Sequence, residues 1–358
     1  MARSAGHVFY DRLQSVLIEG GFDGFAEATC KPYYATRLGA PSAPPGCYFR
    51  MHLVGYFEGI NSERGLEWRC SASLWLREFL RLESRDRVPD HSWLSKTRTR
   101  LPHEVHVAVF DWVLALIAEA GLVKGDRIGV DASTMEAWIA RMKDATTLLA
   151  YKPEHAVDLD TGAVVAAEMP PADEGDPTTL SKTLAAAEAN LEAVDTAPTA
   201  VDPAECVADK GYHSRAVLKA LDNSPWKTRI SEPKQNGFSR WRGDEAARRA
   251  VTNNRVRLKS GVAREAFKLR AEIVERSFAH NLDRRGMRRT WLRGRENVHM
   301  RYLLHVTGHN LSLLRRQLIG AGTPREAVAG GYGCIFVLMT PTGAVLVAQI
   351  LLIVSEDG

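Results

Sequence analysis

Two aspartates close short apolar runs in this chain of 358 residues. Asp131 follows Ile128-Gly129-Val130, and Asp209 follows Cys206-Val207-Ala208. Both runs read as short strands, and ligands converge at strand ends along one edge of an α/β sheet. Two such strands side by side bring the carboxylates within metal-bridging distance, where like charges repel unless a cation neutralises them or one takes a proton. Oxygen-only ligands suit Mg²⁺ or Mn²⁺ rather than zinc. Glu275 offers a third point. In "AFKLRAEIVERSFAH" the residues Phe267, Ala271, Val274 and Phe278 form an apolar stripe at helical spacing, and Glu275 lies beside it. Three such acids hold about two divalent ions roughly 4 Å apart, one activating water or a sugar hydroxyl and the other stabilising the leaving oxygen of a phosphodiester. Each acid also has a plainer reading, the aspartates as turn or helix caps and Glu275 as a boundary residue paired with Arg276. The residues by themselves do not choose these three over other acids. The chain shows no Gly-rich phosphate loop, Ser/His/Asp set or His-Glu-x-x-His.

The elements that must position these residues fall into two textures. Residues 1–125 read as helical: "HVFYDRLQSVLIEGG", "SASLWLREFLRL", a short basic helix in "VPDHSWLSKTRTRL" capped by Asp90, and "HEVHVAVFDWVLALIAEAG" closed by Gly121, with "PSAPPGCYFR" as a proline-rich break. From 126 strands and helices mix. "RIGVDAS" and "ECVADKG" are strands, "HAVDLDTGAVVAAEM" is a hairpin, "TTLSKTLAAAEANLEAV" and "YHSRAVLKALD" are helices, and "KTRISEP" is one more strand. A basic, loop-like stretch then leads to the helix that carries Glu275. This order fits an α/β sheet with antiparallel and parallel pairs. Asp158 and Asp160 read as hairpin-turn residues, and Asp173, Glu174 and Asp176 as loop acids.

Net charge is only +4, but Arg and Lys dominate from about 227 to 316, which suggests a phosphate-rich partner or a solvated basic surface. The residues placed to grip DNA are Lys96, Arg98 and Arg100 on the basic helix, Lys210, Tyr212 and Arg215 behind Asp209, and Arg284, Arg285, Arg288, Arg289, Arg293 and Arg295 interleaved with Trp291. His213 reads as a proton-transfer group or an exposed side chain, and His280 and Asp283 as supports for Glu275. Five widely spaced cysteines without Cys-x-x-Cys argue against a disulfide framework and for a reducing compartment. The N-terminus lacks the apolar core of a signal peptide. The stretch 335–354 is nearly uncharged and about long enough to span a bilayer, but Pro341 and Gly343 interrupt it, and a packed or disordered tail is the expectation.

Several motifs together resemble the DDE transposases of bacterial insertion sequences. They are "PPGCYFRMHLVGYFEGINSERGLEWRC", "PDHSWLSKTRTRLP", "GVDASTMEA", "YKPEHAVDLDTGAVVA", "VADKGYHS", "ISEPK" and "VERSFAHNLDRRGMRRTWLRGREN". The resemblance covers about residues 7 to 326. It implies a helical N-terminal domain, 1–125, for DNA binding or dimerisation, and a ribonuclease H-like catalytic domain, 126–320, with a mixed five-stranded sheet and flanking helices; the apolar tail, 321–358, lies apart from it. It implies that Asp131, Asp209 and Glu275 are the catalytic acids, binding two Mg²⁺ (or Mn²⁺) ions. The implied activity is cleavage and strand transfer at terminal inverted repeats, with double-stranded transposon and target DNA as partners, in a homodimer of the bacterial cytoplasm and nucleoid. The other readings are a nuclease without strand transfer and a degenerate copy that binds DNA without cutting it. Two departures bear on this: "WIARMKDATTLLA" is a short bridge where relatives carry a longer charged segment, and the tail after Arg325 does not match.

Overall fold

The computed structural model describes residues 5–35, 43–83, 85–137, 150–234, 241, 243–320, 322–324, 335–339 and 345–349. Nearly all of the short bridge, residues 138–149, lies outside the described residues. The first third is helical: α1 (Ala5–Glu19), α2 (Phe22–Cys30), α3 (Pro45–Glu58), α4 (Glu63–Ser71), α5 (Leu74–Phe79), α6 (His91–Arg100) and α7 (His103–Glu119). Asp90 caps α6, its carboxylate accepting the Trp93 N–H at 2.8 Å. The expected break at the proline-rich stretch is instead the start of α3, with proline in the first turn. A missing N–H costs nothing there, because the first helical N–H groups have no partner within the helix.

After α7 come β1 (Arg127–Ala132), β2 (Met135–Ala137), β3 (Ala150–Tyr151), β4 (Glu154–Asp158), β5 (Val164–Glu168), α8 (Asp176–Glu192), β6 (Ala204–Ala208), α9 (Arg215–Leu221) and β7 (Trp226–Ile230). Then follow α10 (Glu245–Leu258), α11 (Gly261–Phe278), β8 (Arg289–Thr290), α12 (Arg295–Ile319), β9 (Ile335–Met339) and β10 (Val345–Gln349). The main sheet has the order β5-β4-β1-β6-β7. β5, β4 and β1 pair antiparallel, while β1, β6 and β7 pair parallel. This is the mixed five-stranded α/β sheet that the resemblance implied.

Both edges of the sheet are closed by an asparagine that imitates a strand. Asn310 of α12 accepts from Val164 N and donates to Val164 O on β5. Asn254 of α10 does the same for Ile230 on β7. Buried backbone groups at a sheet edge otherwise lack partners, and a primary amide matches both. The sequence placed loop-like basic chain where α10 lies, and it gave no sign of α12. α10 buries one stripe, Ala247, Ala250, Val251 and Asn254, whereas α12 is wrapped on nearly all sides by α3, α7 and β5. One continuous apolar core runs from Phe9 through Leu314.

Among the described residues no single helix is long and apolar enough to cross a membrane. Within the apolar stretch 335–354, β9 and β10 pair as an antiparallel hairpin rather than one helix. Cys30, Cys47, Cys70 and Cys206 are buried free thiols, each pushed up to about 12 by burial.

Candidate active site

The parallel register of β1 and β6 pairs Ile128 with Cys206 and Gly129 with Val207. Two residues further, at the same end of each strand, stand Asp131 and Asp209. Side chains alternate along a strand, so Gly129 and Asp131 share the face covered by α11. Gly129 makes that cover close. A Cβ there would lie 2.6 Å from Leu159 and 2.9 Å from Val274. Val274 of α11 therefore seats in the notch the glycine leaves, and the next residue is Glu275.

A buried chain of hydrogen bonds fixes the same helix. His155 stands opposite Asp131 on β4. The Ser277 hydroxyl donates to Val274 O at 2.8 Å, so it accepts the His155 Nδ1 proton at 2.8 Å. His155 Nε2 then accepts from the Tyr302 hydroxyl at 2.8 Å. The imidazole stacks on Phe278 with ring centroids 4.2 Å apart. Burial holds its pKa well below the ordinary value, so it is a neutral structural link from β4 to α11 and α12. The apolar stripe of α11 runs Ala263, Ala266, Val274 and Phe278, with Phe267 half-buried, and differs from the expected one at Ala271, which faces solvent.

Asp131 is half-buried. Its Oδ1 accepts the Ala132 N–H at 2.9 Å, and its Oδ2 pairs with Arg270 at 2.8 Å. Arg270 also donates to Val130 O. Burial raises the Asp131 pKa, Arg270 and the Ala132 N–H pull it down, and the charges of Asp209 and Glu275 push it up. The other two acids thus act on the carboxyl of Asp131. Asp209 turns the chain out of β6, its Oδ1 accepting the Gly211 N–H at 2.7 Å. Glu275 is exposed. Among the described residues no three His, Cys, Asp or Glu side chains are grouped closely enough to cage a metal ion as they stand. The chemistry of the donors nonetheless fits a hard divalent cation: oxygen only, and mutually repulsive on the carboxyl they surround.

Around this edge the basic residues divide. Lys210, Arg215, Arg284, Arg289, Arg293, Arg295 and Trp291 are exposed, as are Lys96 and Arg100 on α6. Arg288 lies close to the site, donating to Thr134 O at 2.8 Å and pairing with Asp283 at 2.8 Å. Arg289 pairs with Glu136 at 2.6 Å. Arg215 lies over the Trp241 ring and Arg100 over Tyr34. Three expected DNA contacts are corrected. Tyr212 is buried, its hydroxyl donating to Glu154 at 2.6 Å. Arg98 is buried and paired with Glu63. Arg285 is buried, donating to Phe57 O at 3.0 Å over the Tyr56 ring. Each lies next to exposed basic residues in sequence, but the helical or turn period rotates it inward. His280 lines a cavity with His309 and lies 3.3 Å from the Arg284 guanidinium, and Asp283 pairs with Arg288.

Sequence reasoning missed Arg270, Glu154, Lys152 and Asp176. Arg270 had a signal, because it sits four residues before Val274 on the buried stripe, where a charge needs a partner. Asp176, read as a loop acid, is the first residue of α8 and pairs with Lys152 at 2.6 Å. Asp158, read as a turn residue, is instead the last residue of β4 and fully buried, its carboxylate accepting the N–H groups of Lys124, Gly125, Asp160 and Thr161.

Two family models match the chain. One is described as Transposase domain (DUF772) and covers residues 3–100; the other, Transposase DDE domain, covers residues 235–315. Glu275 lies inside the second match, whereas Asp131 and Asp209 lie between the two. No curated protein matches the chain.

Proposed function

With a transposase domain near each end, the chain is a DDE transposase of the insertion-sequence type, and we propose that it cuts and joins DNA at the terminal inverted repeats of its own element. The observation that carries this is the parallel pairing of β1 with β6, which sets Asp131 and Asp209 at one sheet edge beneath the helix of Glu275. These three residues would hold two Mg²⁺ or Mn²⁺ ions. Bound there, the ions would lower the pKa of water or of a terminal sugar hydroxyl and stabilise the leaving oxygen of the phosphodiester. The protein's own share is positional and electrostatic. The charges of Asp209 and Glu275 act against Arg270 on Asp131, a repulsion that a bound cation would relieve.

The exposed Lys210, Arg215, Arg284, Arg289, Arg293 and Arg295, with half-buried Arg288, face the DNA backbone around that edge, and Lys96 and Arg100 extend the grip onto the helical part. The ion pairs of Arg288 and Arg289 do not prevent this. Exposed pairs are worth only about 0–1 kcal/mol, and a phosphate competes for the same guanidinium. Exposed Trp291 borders a groove of about 310 Å³ between Asn61–Arg64 and Met287–Leu292, where a base released from pairing can stack. Residues 1–125 serve as the DNA-binding and dimerisation part, 126–320 as the ribonuclease H-like catalytic part, and the enzyme acts as a homodimer at the nucleoid.

The test is a cleavage and joining assay on duplex DNA carrying the element's ends, with Mg²⁺, comparing wild type with Asp131→Asn. Joined product that falls by about a thousandfold or more in the variant supports the proposal. Cleavage without joining would make the protein a nuclease, and DNA binding with no cleavage would leave it a binding protein.

A further inference from the structure

Glu154 is fully buried, yet none of the activity proposed above uses it. It stands on β4 opposite Ala132, one residue from the partner of Asp131. Its side chain leaves the sheet on the face away from α11. There it meets three hydroxyl donors: Thr179 at 2.9 Å and Thr183, both on α8, and Tyr212 at 2.6 Å. A buried carboxylate is costly unless its oxygens are satisfied, and an apolar side chain would pack in the same place without that demand. A carboxylate does one thing an apolar group cannot. Its two oxygens accept about four hydrogen bonds, so donors from several elements can meet at one point.

The elements that meet here are those that place the two aspartates. Tyr212 ends the turn that begins at Asp209. Between them, Gly211 donates to Asp209 Oδ1 at 2.7 Å. Gly211 has no room for a side chain: a Cβ would lie 2.6 Å from Asp176 Oδ2 and 3.0 Å from Asp209 Oδ1. Asp176, one turn before Thr179 on α8, is itself held by Lys152. The Asp209 turn is therefore held from beneath by Tyr212 on Glu154 and packs at its side against Asp176. The strand bearing Glu154 is hydrogen-bonded to the strand of Asp131.

We infer that Glu154, through Tyr212 and Thr179, is a positioning residue that sets the distance between Asp209 and Asp131 from behind the sheet. The inference rests on the reading of those aspartates as a metal-binding pair. Partners behind a metal ligand commonly change metal affinity 10–100-fold when removed.

The experiment measures Mn²⁺ binding to the full chain by electron paramagnetic resonance, alongside circular dichroism and DNA binding. The variants are Tyr212→Phe and Thr179→Val, which lose one hydroxyl each, Thr179→Ser, which keeps it, and Asp131→Asn. The inference expects Tyr212→Phe and Thr179→Val to bind Mn²⁺ about tenfold more weakly, with helical signal and DNA binding retained, and Thr179→Ser to match wild type. The Thr179 hydroxyl bonds Glu154 and not the aspartates, so a merely structural role would lower the melting temperature without moving Mn²⁺ affinity in the folded protein. Wild-type affinity in Tyr212→Phe and Thr179→Val, with affinity lost in Asp131→Asn, overturns the inference and leaves the site reading intact. Wild-type affinity in Asp131→Asn, or no Mn²⁺ binding by wild type, overturns both.

Discussion

Replacing Gly129 by alanine adds one methyl group at the contact that seats α11 on the sheet. The Cβ would lie 2.6 Å from Leu159 Cδ2 and 2.9 Å from Val274 Cγ2, closer than such atoms come. Leu159 and Val274 are both buried, so neither has an open side to move into. Regaining ordinary contact, about 3.5–4 Å, requires α11 to lift by roughly 1 Å. Two effects oppose each other in stability. Removing a glycine from a strand gains about 0.5–1 kcal/mol, and overpacking a tight core costs about 1–3 kcal/mol. Overpacking wins, for a net loss of about 1–2 kcal/mol. The effect on activity is larger, because Glu275 follows Val274 on the same helix. A misplacement of about 1 Å in a reacting constellation costs on the order of a hundredfold. The assay pairs urea unfolding with Mg²⁺-dependent end cleavage at saturating DNA. Gly129→Ala should lose some stability but most of its activity, and the double variant with Val274→Ala should recover part of both, since the new cavity accepts the new methyl. A Gly129→Ala protein with wild-type unfolding and wild-type cleavage would refute the reasoning, because it would show that the notch does not place α11.

Asn254→Ala and Asn310→Ala each strand one N–H and one C=O at a buried sheet edge, so each should lower stability by about 2–4 kcal/mol in urea unfolding, with DNA cleavage in the folded fraction little changed. Burial pulls His106 and His299 down to about 4, and holds His52, His155 and His305 well below their ordinary range. The unfolded chain takes up protons from about pH 6.5 downward while the folded chain does not, so stability falls as pH drops through the window from about 6.5 to 4. His106 and His299 alone should remove about 2 kcal/mol each by pH 5, and a melting temperature that stays flat from pH 7.5 to 5 would contradict their burial as neutral groups. Arg293→Ala and Lys96→Ala should weaken DNA binding for any sequence and reduce the slope of log affinity against log salt by about one unit each. An unchanged slope would take those residues off the DNA face.

The sequence alone determined whatever depends on neighbours in the chain. Asp90 caps α6, the apolar runs before Asp131 and Asp209 are strands, and "LDTG" turns a hairpin, because caps, alternation and turn chemistry act over a few residues. The resemblance supplied three acids that composition and spacing could not single out. Only the tertiary structure decided which charged side chains turn inward. Tyr212, Arg98 and Arg285 read like Lys210, Lys96 and Arg284 in sequence, yet each is buried against a partner 35 or more residues away. It also decided that Arg270 reaches Asp131, that Glu154 gathers hydroxyls from α8 and the Asp209 turn, and that α12, with few local signals, is held from all sides. The physical reason is common to these cases. A polar group can be buried only where the fold brings it a partner, and partners distant in the chain leave no periodic trace in the sequence.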